Sequence, residues 1–190
     1  LHAVNRAGIK PGDSAVVVGA GLIGLLVIQG LKRAGCGEII AVDLDEQRLQ
    51  LALKLGATYA IRPENPDVPG TVKDLLASDG ADVVMEVVGI NATVKLAVNC
   101  ARKGGRVCLV GNLAPEVEFP LQAVVTRELD VLGSCAINGE YPDALAAIAS
   151  GDINVKTLIS ETAPLKDGAT WFARLHDGSE PLLKVILQPG

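Results

Sequence analysis

Residues 19–24 read Gly-Ala-Gly-Leu-Ile-Gly. Asp43 follows about 20 residues after the last of these glycines. At this spacing Gly19 permits a tight turn, Gly21 lets a pyrophosphate approach the backbone, and Gly24 lets a helix pack closely on a strand. Leu22 and Ile23 would then stand in the first turn of that helix. Its free N–H groups and positive dipole end suit phosphate. An acid at Asp43 can accept hydrogen bonds from ribose hydroxyls, with Leu44 beside it. Each part has a plainer use, since glycines serve ordinary turns and Asp43 could open a helix as Asp45 does. Together, after a strand and at the start of a helix, they point to a dinucleotide.

Asp43 also bears on which dinucleotide. A carboxylate there repels a 2′-phosphate, so NAD is favoured over NADP. Arg48 lies one turn into the next helix. It could serve a phosphate, hold the ribose, stack near the adenine, or simply be solvated. A second group of small residues stands at two later strand ends: Val87, Val88 and Gly89, then Val110, Gly111 and Asn112. They leave room for a nicotinamide ring where doubly wound sheets bind ligands. Glycines that merely turn the chain fit the same spacing.

The elements that must position these residues follow from periodicity. Strands are expected at 13–19, 38–43, 58–61, 81–89, 106–111 and 129–134. Helices are expected at 22–34, from Asp45 to a stop at Gly56, near 69–78 after a proline-marked loop, and from an Asn91 cap to Arg102, with Gly104-Gly105 ending it. Strand and helix alternate and the central strands are apolar throughout, which predicts a parallel sheet covered on both faces. Right-handed crossovers make it a doubly wound six-stranded α/β sheet of the Rossmann type. The rhythm changes after Cys135. The stretch 141–151 reads as a helix, 153–160 as extended, 165–178 as a helix and 182–188 as a strand. The division expected is a dinucleotide-binding domain over 1–136, with a hinge helix at 1–8, and a C-terminal segment over 137–190.

The 190 residues are 49% apolar with a formal net charge of −5. That suffices for a core without disulfides or metal. No Lys/Arg run exceeds two residues, so neither nucleic acid nor a membrane surface is an expected partner. The longest apolar stretch is broken by glycines and Gln29, as a strand-turn-helix would be. Cys36, Cys100, Cys108 and Cys135 form no CxxC pair, and His2 and His176 are far apart, so no metal site is expected. The thiols are expected to pack as small apolar groups. The cytoplasm is the expected location; the chain opens at "LHAVNRAG" without an initiator Met, so the missing targeting signal says little about the compartment.

The segments "AVVVGAGLIGLL", "IIAVDLDEQRLQLALKLGAT", "ADVVMEVVG" and "GGRVCLVG", in this order and spacing, resemble the medium-chain dehydrogenases. The zinc-dependent alcohol, polyol (sorbitol) and threonine dehydrogenase branch matches best. "LHAVNRAGIKPGDSAVVVGAG" is similar to its hinge helix and first strand, and "NVKTLIS" with "LLKVIL" to its C-terminal end. The resemblance implies hydride transfer between an alcohol or polyol and NAD, assisted by zinc. It implies the Ile23 backbone at the pyrophosphate, Asp43 and Arg48 at the adenosine ribose, and Val110, Gly111 and Asn112 on the nicotinamide side, with Ser134, Cys135 and Ala136 nearby. Cys135-Ala136 stands where the polyol branch often carries Phe-Arg, a departure from that branch. The family's zinc ligands precede the "LHAV"-like segment, so this chain is expected to hold no catalytic residue and no metal and to be inactive alone. A homodimer or homotetramer through the sheet edge is implied, with 117–121 and 129–134 as candidate segments. Two other readings stay open: a stand-alone NAD-sensing module, which the tail from Tyr141 argues against, and a methyltransferase, for which no polar motif follows strand four.

Overall fold

The structure is a computed structural model that describes residues 1–63, 67–178 and 180–190. Part of the proline-marked loop expected before the fourth helix, residues 64–66, lies outside the described residues. The chain begins with α1 (His2–Ala7), then alternates β1 (Ala15–Val18), α2 (Leu22–Arg33), β2 (Ile39–Val42), α3 (Glu46–Leu55), β3 (Tyr59–Ile61), α4 (Val68–Leu76), β4 (Ala81–Glu86), α5 (Asn91–Cys100) and β5 (Ala101–Leu109). It continues through α6 (Leu121–Thr126) and β6 (Asp130–Gly133). The tail holds α7 (Tyr141–Ser150), β7 (Glu161–Pro164), α8 (Gly168–Asp177) and β8 (Val185–Gln188).

Six strands form one parallel sheet in the order β3-β2-β1-β4-β5-β6. Its centre is β-branched and buried on both faces, as expected for strands covered by helices. Alternation divides the core into two layers. Val17 pairs with Ala41 and Met85, and this face packs on Leu25, Ile28 and Leu31 of α2. Val16 pairs with Ile40 and Val84, and the opposite face packs on Val72, Ala97 and Val98 of α4 and α5. Among the described residues, no helix is long and apolar enough to cross a membrane.

Four local expectations are corrected. The helix expected to run to Arg102 stops at Cys100, because Ala101 turns extended and pairs with Ala81. Gly104 and Gly105 instead sit in an irregular stretch of β5, where the register shifts between Ala81 and Val83. Asn91 is the first helical residue, not the cap. Its Oδ1 accepts from the Glu118 N–H at 2.8 Å, pinning the following loop onto α5. Residues 117–120 form no strand; Pro120, with its fixed φ and missing N–H, opens α6 instead. In the tail, 153–160 is not extended throughout. The Asn154 N–H donates to Gln29 Oε1 at 2.6 Å, and Leu158 buries itself in the core in a short 3₁₀ turn. The extended segment begins only at Glu161, where β7 pairs in parallel with β8 as a separate two-stranded sheet.

Candidate dinucleotide site

β1 delivers the chain into the glycine loop at the C-terminal edge of the sheet. Gly19 adopts φ +101°, and its N–H donates to the Val42 carbonyl at 2.8 Å. That positive φ suits glycine. A Cβ on Gly24 would lie 1.9 Å from the Gly19 carbonyl oxygen, so the helix can approach the turn only without one. A Cβ on Gly21 would meet nothing within 4 Å, so this side of the loop is open. Gly21 caps α2 with no side-chain hydrogen bond, so the N–H groups of Leu22 and Ile23 start a helix with no capping side chain. Such an end is built for an anion.

Asp43 stands at the end of β2, partly exposed. Its Oδ2 accepts from the Ala20 N–H at 2.6 Å and its Oδ1 from the Asp45 N–H at 2.9 Å. The carboxylate therefore ties the glycine loop to the turn entering α3, a second task that local pattern did not reveal. Two acceptor directions remain for hydroxyl donors. Asp45 caps α3 by accepting from the Gln47 and Arg48 N–H groups. Arg48 turns its Nε toward Asp45 Oδ2, 3.6 Å away, and stays partly exposed. Leu44 is largely exposed beside Asp43, an apolar surface at the rim.

The strand ends beyond β1 meet in a cavity of about 830 Å³. It brings together nine of the sequence-predicted residues: Ile23, Val87, Val88, Val110, Gly111, Asn112, Ser134, Cys135 and Ala136. Gly19, Gly21, Leu22, Gly24, Asp43, Leu44, Arg48 and Gly89 do not line it. The turn after β4 and the turn after β5 interlock. A Cβ on Gly89 would come 2.4 Å from the Asn112 nitrogen, and one on Gly111 would come 2.3 Å from the Val88 nitrogen. The Ala114 N–H then donates to the Gly89 carbonyl at 2.9 Å.

Sequence reading missed the wall formed by Leu1, His2 and Ala3 at the start of α1. No local signal marks them; only the docking of α1 against β5 and β6 brings them there. His2 Nδ1 hydrogen-bonds Glu140 Oε1 at 2.8 Å, and Glu140 Oε2 accepts from the Asn138 N–H at 2.6 Å. The bond from His2, with that backbone N–H, holds the Glu140 carboxyl down at about 2. Cys100 and Cys108 are buried as expected of apolar packing, while Cys36 is half-buried and its Sγ donates to the Asp13 carbonyl at 2.7 Å. Burial pushes the Cys36 and Cys100 thiols up to about 12 and that of Cys108 to about 11. Cys135 is the exception: it is exposed at the cavity wall, because the edge strand β6 ends at Gly133 and the chain leaves the sheet. Among the described residues, no group of three or more His, Cys, Asp or Glu could hold a metal ion.

The residues fit a dinucleotide. A diphosphate suits the open side of Gly21, ribose hydroxyls suit Asp43, and the cavity has the size and apolar walls a ring needs. The comparisons agree. The family model of the zinc-binding dehydrogenases matches residues 23–150. D-xylulose reductase A of Aspergillus niger is 36% identical over 94% of this chain and 51% of its own length. Sorbitol dehydrogenase of Bacillus subtilis is 30% identical over 100% of this chain and 54% of its own. A provisionally assigned zinc-binding dehydrogenase from Sinorhizobium meliloti, solved bound to NADP, superposes with a TM-score of 0.84 at 30% identity, over 99% of this chain and 54% of that one. The chain thus spans about half the length of the curated relatives it matches. It belongs to the zinc-binding dehydrogenase family.

Proposed function

We propose that this chain is the NAD-binding part of an alcohol or polyol dehydrogenase. One observation carries the reading. The glycine loop, Asp43 and the cavity share the C-terminal edge of the sheet at the β1/β4 junction, where the strand order reverses. Ligands of doubly wound sheets bind in that crevice. NAD supplies the hydride acceptor for an alcohol carbon. The α2 N-terminus binds the diphosphate, with the Ile23 N–H toward it and Gly21 leaving the approach clear. Asp43 accepts from the adenosine ribose and repels a 2′-phosphate, with Leu44 and Arg48 at the rim. Val87, Val88, Gly89, Val110, Gly111 and Asn112 shape the nicotinamide side, and Ser134, Cys135 and Ala136 close it. The chain's described residues offer no ligand set for zinc.

The alcohol or polyol class rests on the relatives named as a xylulose reductase and a sorbitol dehydrogenase. The division at residue 136 is supported by the tail's own two-stranded sheet. A homodimer or homotetramer through β6 is supported by its open, half-exposed edge, which two-fold pairing would close. Four free cysteines accord with a reducing, cytoplasmic setting. Calorimetric titration with NAD, NADP and S-adenosylmethionine tests the reading. NAD should bind most tightly, and binding of S-adenosylmethionine alone would overturn it.

A further inference from the structure

Glu86 ends β4, and none of the roles above uses its side chain. It is fully buried, at 0% exposure. Its Oε1 accepts from the Val88 N–H at 2.9 Å and the Gly89 N–H at 2.8 Å. Its backbone carbonyl accepts from the Val110 N–H at 2.8 Å and the Gly111 N–H at 3.0 Å. One residue therefore holds four N–H groups in the two interlocked turns of the cavity wall. These turns pack without room for a Cβ at Gly89 or Gly111, so a shift in one displaces the other.

The second oxygen, Oε2, has no hydrogen-bond partner among the described residues. A buried oxygen left unpaired costs stability. An apolar residue such as the neighbouring Met85 would fill a strand position without that cost. The cost falls where two turns must be held in place, a pattern expected of functional sites more than of structural ones. The ribose anchor has bonds of its own, since Asp43 accepts from the Ala20 and Asp45 N–H groups and makes none with the Glu86 carboxylate.

We propose that Glu86 is a positioning residue for the nicotinamide half of the bound dinucleotide. It fixes Val88, Gly89, Val110 and Gly111 relative to one another, so the wall is already shaped when the ring enters. The proposal rests on the dinucleotide reading above. It is tested by titrating the protein and its Glu86→Ala, Glu86→Met and Glu86→Gln variants with NAD and with ADP, alongside thermal unfolding. Glu86→Ala and Glu86→Met should weaken NAD about tenfold or more, the loss of two bonds to a carboxylate, and ADP by less than about twofold. Glu86→Gln keeps an acceptor oxygen for both N–H groups and should restore NAD affinity to within about threefold. Equal losses for NAD and ADP, an unchanged NAD affinity, or unfolding of both apolar variants would overturn the proposal. A wild-type protein that binds neither ligand would overturn the dinucleotide reading itself.

Discussion

The six-stranded unit and the tail after residue 136 are built to different standards. In the unit, β1, β2 and most of β4 are buried on both faces, and helices close each side. In the tail, a two-stranded sheet and two helices bury only a few residues, among them Ala147, Ile153, Leu158 and Ala163. The same segment exposes Phe172 at 71% and Leu165 at 58%. It is joined to the unit by polar ties, Gln29 with Asn154, Arg33 with Asp143 and Asp152, and His2 with Glu140, and by Leu158 and Leu183, which pack with the core. A two-stranded sheet is marginal by itself, whereas the unit has a complete core. Stability and cofactor binding should therefore reside in the first region and be nearly insensitive to the apolar surface of the second.

The largest expected break in that contrast comes at the start of α2. Gly24→Val drives a side chain into the Gly19 carbonyl and should abolish NAD binding, with a stability loss of about 1–3 kcal/mol by denaturant unfolding. Gly21→Ala meets no protein atom, so it should fold normally yet bind NAD weakly. Next, Val17→Ala in the sheet should cost about 2–3 kcal/mol, while Phe172→Ser in the tail should stay within about 0.5 kcal/mol. A tail substitution as costly as the sheet substitution would erase the distinction between the regions.

Asp43→Ser should weaken NAD by about 1–3 kcal/mol and narrow the gap to NADP, measured by calorimetry. It should also loosen the glycine loop, since Asp43 bonds the Ala20 N–H, giving faster amide exchange there. Thiol alkylation sharpens the contrast between core and rim. Cys135 should label first and be slowed by NAD, while Cys100 and Cys108 should label only on unfolding.

The smallest effects concern pH. The Cys36, Cys100 and Cys108 thiols are raised by burial above an unfolded value of about 8.5. Their contribution is complete below that value and is lost as pH rises toward about 12, so alkaline unfolding should begin above about pH 8.5. Glu140 is lowered to about 2, mainly by its bond with His2. Its contribution is complete above an unfolded value of about 4.3 and fades as pH falls toward 2. Amide exchange across Tyr141–Ser150 should rise in that acid window before the sheet opens.

The first region was legible as far as β4 because its rules there are local, while the end of α5 and the path from β5 to α6 were not. A β-branched run, a glycine turn, an Asp45 cap and a Gly56 stop each declare themselves within a few residues. The tail was less legible. β7 reads Glu-Thr-Ala-Pro, with no apolar alternation, and exists only because β8 lies beside it. The same division runs through the site. Gly19, Gly21, Gly24 and Asp43 are marked by spacing. The tie from Asp43 to Ala20, the wall from Leu1 to Ala3 and the Val110 and Gly111 N–H groups on the Glu86 carbonyl depend on chain segments far apart, which no window of sequence displays.

The most direct measurement is a calorimetric comparison of NAD and NADP on the wild-type protein and on Asp43→Ser. NAD should bind wild type more tightly than NADP by about tenfold or more, and the substitution should close most of that gap. Tighter binding of NADP to the wild-type protein would contradict the assignment of Asp43 as the group that selects the cofactor.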